Sequence, residues 1–416
     1  MEGFDPRELP GLEAWYDVSA ISGFGSAAPA EAASIASWTD LSGKGKHLVQ
    51  ATGGQQPAYR SANWNMLSAP LTTGLVISAS GLAAVTAPSS QGIISNPTLP
   101  INSLPAVRFT ANGTGTGGYF TNAFIPALPG VTYTAIAYGR ASAATFCYTG
   151  IYFYNSSKVE ITHNFAGLTS VNTSLTGPFT PYTMTATSPA GTAYVRMITY
   201  IPAATPAGTI VDMTGLQLGV GTIPATMPYL PQNNPAGIQF DGVNDLLSVA
   251  GVVCPTEVSV YAVVLENTPV ASNGRWLRGQ LPTPATSGWA LATNNATPEF
   301  RFFSYDNASN PMGSGGTGKT PVGTSIIAGG VGQAANSQWN NHNGSAGVVT
   351  PSQSAAWGGL ASAGSTLTMG ADAAGTSPSS SLISAALVFS RNHDLATRRR
   401  VITGLSTKYG ITLTRP

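Results

Sequence analysis

The sequence predicts an all-β protein: two β-sandwich (jelly-roll) domains, one inserted into a loop of the other, with a single helix near the C-terminus. Three observations predict it. Short apolar stretches are punctuated throughout by turns, with 48 Gly and 30 Pro in 416 residues, which suits strands and denies helices the length they need. Val131 to Arg140 alternates with period two, placing Thr132, Thr134 and Ile136 on one side and Val131, Tyr133, Ala135 and Ala137 on the other. Only Asp394 to Tyr409 has helical character. Asp394 or Asn392 can cap it, Leu395, Val401, Ile402 and Leu405 recur at helical spacing, Lys408 complements the dipole in the last turn, and Gly410 stops it.

The elements follow in order. LPGLEAWYDVSA forms a short strand ending at Asp17, and SWTDLSGKGKHLVQA adds strand-like pieces around a Gly-rich turn. Phe240 to Val249, FDGVNDLLSV, is a strand end, an Asp-Gly turn and a second strand, and it resumes the domain that the chain leaves near Tyr59. Residues 1–63 and 234–416 therefore form a discontinuous host, and 64–233 an inserted module. Insertions succeed at exposed loops whose ends lie close together. Within the module, FCYTGIYFYNSSKVEITH is a hairpin turning near Asn155 to Ser157, followed by PYTMTATSPAGTAYVRMITYI and GTIVDMTGLQLGVG. The Gly-rich stretch Gly313 to Gly323 is expected to be a mobile loop. Asp241 and Asp245 are expected to brace their own turn, with a calcium site as the alternative.

Composition narrows the function classes. Charged residues are 8% of the chain, against about 25% in an ordinary soluble protein. A net charge of +1 offers no phosphate-neutralising surface, so no nucleic-acid partner is expected, and Arg398 to Arg400 reads as a solvated helix face. No run of apolar residues is long enough for a spanning helix, so no membrane insertion is expected. MEGFDPRELPG lacks the apolar core of a secretory signal. Cys147 and Cys254 fall in different domains and are expected to be free buried thiols, as in a reducing cytosol.

The opening LPGLEAWYD, then WTDLSGKGKHLVQATGGQQPAY, IQFDGVNDLL, TLTMGAD and LISAALVFSR resemble laminin-G-like, concanavalin A-like sandwich domains common in phage structural and bacterial surface proteins. The inserted stretch, most clearly Pro129 to Gly219, is similar to carbohydrate-binding-module jelly rolls of the type 4/9, galactose-binding-like class. The pair of resemblances implies a tailed-phage virion surface protein: a receptor-binding, tail fibre or head decoration component that contacts bacterial surface glycans. Its implied partners are other virion proteins and bacterial polysaccharide. Its implied state is a homo-oligomer, commonly a trimer, assembled in the host bacterial cytoplasm and displayed on the virion. The alternatives are a purely structural decoration protein and a polysaccharide depolymerase. No cofactor is required; the jelly-roll class often holds a structural calcium, and Asp212 in VDMTGLQL matches its position.

Glycan hydrolysis needs paired carboxylates. No Glu-x-Asp-x-x-Glu pattern of concanavalin A-like glucanases occurs, and the expectation is that the chain is not an enzyme. His47, His163, His342 and His393 are isolated, without metal-ligand spacing. Sugar binding uses aromatic faces that stack on pyranose C–H surfaces. Tyr148, Tyr152 and Tyr154 share one face of a strand by parity, which makes them either a binding platform or core. Trp276, Trp289 and Tyr305 are expected to be core of the host.

Overall fold

The computed structural model describes residues 4–24, 28–62, 66, 75–76, 90–94, 106–111, 113, 117–121, 124–177, 179–202, 205–222, 235–252, 257–266, 274–280, 288–293, 300–305, 311–316, 324–332, 338–343, 345–346, 365–371 and 378–414. The chain divides into two compact units, Met1–Ala62 with Pro235–Pro416, and Asn63–Asn234. The fold is all-β, with antiparallel sheets throughout, and Leu395–Tyr409 is the only α-helix among the described residues.

The host unit is built around Ser380–Phe389, SSLISAALVF, which is buried along its whole length. One edge of this strand pairs with Val258–Glu266; the other is shared by Gly237–Asp241 and Leu12–Asp17. One face supplies Ile383, Ala386 and Val388 to a core with Trp38, Phe240, Trp276 and Trp289. The second eight-stranded sheet closes that core. The opposite face, with Ala385, Leu387 and Phe389, is covered by Val401, Ile402 and Leu405 of the helix. A strand covered on both sides has no polar face to show, which is why its sequence runs apolar without alternation.

Asp394 caps the helix by accepting a hydrogen bond from Thr397 N at 2.8 Å, and Gly410 ends it in the left-handed region at φ +64°. Leu395, expected on the apolar stripe, is 59% exposed. At that end Arg398 takes over the packing, its guanidinium 4.1 Å from the centre of the Trp339 ring. His393, just before the cap, is buried with Nδ1 2.9 Å from the Tyr261 hydroxyl. Burial, reinforced by the Arg398 charge, holds it down to about 4 from an ordinary 6.5.

Two further expectations meet the structure here. Pro311–Gly316 is a strand paired with Phe300–Tyr305, so the glycines expected in a mobile loop partly form a sheet edge. Backbone pairing needs no side chains, which is what the Gly-rich pattern concealed; residues 317–323, the Tyr305 side chain and Cys254 lie outside what is described. Cys147 is buried and free, and Trp276 and Trp289 are core.

The insertion has a simple geometry. Ala58–Arg60 and Gly237–Asp241 pair antiparallel with Arg60 opposite Gly237, so the chain leaves and re-enters the host on neighbouring strands. The whole second unit occupies the place of a hairpin loop. Arg60, 2% exposed, locks the junction by donating to Gln239 Oε1 at 2.5 Å and to Glu31 at 3.1 Å, and Glu31 also accepts Ser61 N at 2.7 Å. Gly237 is needed there, because a Cβ would stand 2.4 Å from Leu382 Cγ. Just beyond, Asp241 Oδ1 accepts Val243 N at 2.8 Å and Asn244 N at 3.2 Å, bracing the turn as expected. Burial, and then the Asp241 charge, push the Asp245 carboxyl up to about 7.

Joining Ser61 to Pro235 through a short turn in place of the second unit should leave a host that unfolds cooperatively with a β-type circular dichroism spectrum; an unfolded product would refute the hairpin-loop reading. The pH dependence of the host follows from two opposed groups. His393 binds a proton in the unfolded chain below 6.5 but in the folded one only near 4, so its contribution is lost as pH falls across that window. Asp245 has the reverse effect: raised from 3.8 to about 7, it favours the folded state at low pH and the benefit is lost as pH rises. Asp245→Asn should therefore lose stability more steeply than the native chain between pH 6.5 and 4, as read by the unfolding midpoint.

Candidate functional site

The outer face of one sheet in the second unit gathers its aromatic and charged side chains. Phe146–Tyr154 is the central strand, with Glu160–Ser170 on one side and Tyr194–Ile201 on the other. Asn155 makes the hairpin turn, its Oδ1 accepting Ser157 N and Val159 N at 3.0 Å each, and Lys158 adopts φ +60°. Alternate residues of Phe146–Tyr154 point apart. Cys147, Ile151 and Phe153 enter the core against Tyr133, Ala135 and Ala137 of Thr132–Ala141. Tyr148, Gly150, Tyr152 and Tyr154 face outward.

Register sets their neighbours in rows. Tyr148 is opposite Tyr200; Gly150 lies between Ile198 and Phe165; Tyr152 between Arg196 and His163; Tyr154 between Tyr194 and Glu160. The rings pack closely. Tyr148 and Tyr200 stack at 4.8 Å, Tyr152 and His163 at 4.9 Å, and Phe165 meets Tyr200 edge-on at 5.3 Å. Gly150 makes room for Phe165, since a Cβ there would come within 2.4 Å of that ring. Phe124 packs edge-on against Tyr154 at 4.9 Å and carries two cations, Lys158 Nζ at 5.1 Å and Arg196 Cζ at 4.9 Å from its centre. Glu160 and His163 Nδ1 are 2.6 Å apart, both partly exposed.

The expected three-ring platform of Tyr148, Tyr152 and Tyr154 needs correction. The three do share a face, but Tyr152 is 1% and Tyr154 8% exposed, so they form the floor of the face. Their neighbours cover them: His163 and Phe165 lie over Tyr152, and Phe124 over Tyr154. Burial accordingly pushes the Tyr152, Tyr154 and Tyr200 hydroxyls above their ordinary value. The rings reaching solvent are those of Phe165 and His163, and in part those of Tyr148, Tyr200, Tyr194 and Phe124. Phe165 and Tyr200 were missed because strand parity gives the face of a residue but not its depth. The signal available was the alternation His163, Phe165 on the return arm of the hairpin.

Charge placement sharpens the picture. Between residues 63 and 234 the only formally charged residues are Arg108, Arg140, Lys158, Glu160, Arg196 and Asp212, with His163 the only histidine. Lys158, Glu160, Arg196 and His163 all belong to the aromatic face. The other three form a separate cluster. Asp212, fully buried, takes Arg108 Nε at 2.7 Å and Nη2 at 2.9 Å, and Arg140 Nε at 3.0 Å. Arg140, 1% exposed, also donates to Gly177 O and stands over the Phe179 ring at 4.5 Å. This corrects the calcium expectation at Asp212: both carboxylate oxygens are taken by guanidinium groups, whose charge would repel a dication. No group of three metal-ligating side chains occurs among the described residues. His47, His342 and His393 stay apart, bonded to Asp40 N, Ser325 and Tyr261 respectively.

No family profile matches the chain, and no curated protein does. Solved structures are weakly similar to parts of it. The enzymatically active domain of bacteriophage CBA120 tailspike protein 4 is 12% identical with a TM-score of 0.24, over 32% of this chain and 18% of that one. Trypanosoma rangeli sialidase in complex with the inhibitor DANA is 14% identical with a TM-score of 0.30, over 40% of this chain and 27% of that one. A family 16 carbohydrate-binding module is 14% identical with a TM-score of 0.21, over 28% of this chain and 76% of that one. The expectation that the chain is not an enzyme is overturned, because these neighbours are mostly glycosidases, an arabinofuranosidase among them. The sequence pattern behind that expectation detects only carboxylates on a single strand; carboxylates converging from separate strands leave no such trace. At these TM-scores the likenesses carry no argument for a particular activity.

Asp212→Ala strands the buried Arg140 charge and should cost about 3–5 kcal/mol of stability in the second unit. EDTA should leave the melting of the native unit unchanged; a fall in its melting temperature on chelation would restore the calcium reading.

Proposed function

We propose that the second unit binds carbohydrate on the outer face of the Phe146–Tyr154 sheet. One observation carries this: in a unit almost free of charge, three of its six charged residues and its only histidine converge on the face that holds its densest set of aromatic rings. Solvent-reaching rings offer flat apolar surface to sugar C–H faces, and the guanidinium, ammonium, carboxylate and imidazole groups beside them can bond hydroxyls. Residues serving only stability have no reason to collect there. The carbohydrate-binding and glycoside-cleaving neighbours are in keeping with this reading without adding weight to it.

The wider role is proposed from the sequence resemblances alone. The chain is a surface component of a tailed-phage virion, in a receptor-binding, tail fibre or decoration position, with other virion proteins and bacterial surface polysaccharide as partners. It is assembled in the bacterial cytoplasm as a homo-oligomer. A purely structural role is favoured by one observation: Val159, Ile161 and Phe165, at 59%, 39% and 37% exposed, line the Glu160–Ser170 side of the face and could pack against a neighbouring subunit.

The test is calorimetric titration of the whole chain with polysaccharide fragments from bacterial surfaces, using Tyr200→Ala and Phe165→Ala. Each ring should be worth about 0.5–1.5 kcal/mol, up to about a tenfold loss of affinity. Absence of saturable binding by folded protein, or variants that bind as the native chain does, would overturn the proposal. Release of reducing ends in the same mixtures would reveal cleavage.

A further inference from the structure

We propose that the glycan held on this face is acidic, with carboxylate-bearing sugar units that Lys158 and Arg196 recognise. The inference rests on the carbohydrate-binding reading and adds the ligand's charge. The polar groups of the outward rows are phenols and ionisable groups, with no amide among Tyr148, Tyr152, Tyr154, His163, Phe165, Tyr194, Arg196 and Tyr200; the amide of Asn155 lies in the turn, where its oxygen is taken by Ser157 N and Val159 N. A neutral sugar is most economically met by amides and hydroxyls, whereas an anionic one is met by cations.

The charge balance of the face is positive. Lys158 and Arg196 both lie against the Phe124 ring, which fixes their position. Arg196 also lies near the Tyr154 phenol, where its charge works against the effect of burial on that hydroxyl. Lys158 has no ion-pair partner among the described residues; its recorded contacts are with the Phe124 and Tyr194 rings. The single acid, Glu160, is engaged by His163 at 2.6 Å. Two cations therefore stand at the Tyr154–Tyr194 end of the face, beside the half-buried Phe124 and Tyr194 rings, with one carboxylate already satisfied by another group. The remaining charges of the unit, Asp212 with Arg108 and Arg140, sum to +1 in a separate cluster and so do not offset this potential.

An acidic sugar suits both halves of the face. One unit of an acidic oligosaccharide can lie on Phe165 or Tyr200 while the carboxylate of a unit further along the face reaches the guanidinium or ammonium group at its Tyr154–Tyr194 end, and a guanidinium binds a carboxylate with two parallel hydrogen bonds. Exposed pairs of this kind are modest and screened by salt, so the charge gives selectivity while the rings give most of the affinity.

The experiment titrates the whole chain with oligosaccharides of galacturonate, of mannuronate and guluronate, and of glucuronate-containing hyaluronan, each beside its carboxyl methyl ester, at low and high salt. Esterification removes the charge and keeps the ring. At least one acid form should bind about tenfold more tightly than its ester, two exposed charge contacts being lost at about threefold each. Lys158→Gln should lose about threefold for the acid and nothing for the ester. Lys44→Gln, an exposed lysine of the host unit, should change neither, and high salt should weaken only the acid form. An ester or a neutral oligosaccharide bound as tightly as the acid overturns this inference and leaves the carbohydrate-binding reading standing. Failure of every saccharide, acidic or neutral, to bind folded protein overturns both.

Discussion

A charge taken out of water must find a partner, and in this chain the number of charges is so small that each can be followed to its place. With 18 basic and 17 acidic residues in 416, solubility and specificity cannot come from a generally charged surface. Charges appear instead where geometry demands one. Arg60 sits at the point where the chain leaves the host, paired with Glu31 and Gln239. Asp17, buried at the end of the first long strand, takes Lys408 at 2.6 Å and Tyr409 at 2.9 Å and so ties the C-terminal helix back to the N-terminal strand. Asp212 joins three strands of one sheet through Arg108 and Arg140. Once these structural pairs are set aside, the charges left in the second unit are the ones on the aromatic face.

The insertion follows from the same economy of local pairing. Because Arg60 and Gly237 are register partners, the host sheet is complete without its passenger, and the passenger closes its own core between two antiparallel sheets. Each unit can then satisfy its backbone and bury its apolar faces alone. The outer face of the second unit then carries only a small cluster of its own, Tyr152, Tyr154 and Ile198, beneath the rings packed against it.

Much of the architecture was legible in the sequence because it rests on local chemistry. Period-two alternation placed Tyr133, Ala135 and Ala137 inward, Asp394 and Gly410 marked the helix ends, and the late FDGVND turn disclosed the interruption. Depth was not legible. Tyr148, Tyr152 and Tyr154 are equivalent by parity, yet which of them meets solvent is decided by Phe165, His163 and Phe124, contributed by other segments. Nor was the fate of Asp212, whose partners lie 104 and 72 residues away in sequence. Leu395 failed for a related reason: helical periodicity assigns a stripe, but a stripe is buried only where something lies opposite it. The missing single-strand carboxylate pattern was no ground for the non-enzyme expectation, because groups that meet only in three dimensions leave no linear trace.

The central claim is that the outer face of the Phe146–Tyr154 sheet is where this chain meets sugar, and a crystal structure of the chain with a bound acidic oligosaccharide tests it most directly. The account predicts one sugar ring lying on Phe165 or Tyr200 and a carboxylate of a further unit of the same oligosaccharide turned toward Lys158 and Arg196. A saccharide seated on the host unit, or on another surface of the second unit with this face bare, would contradict it.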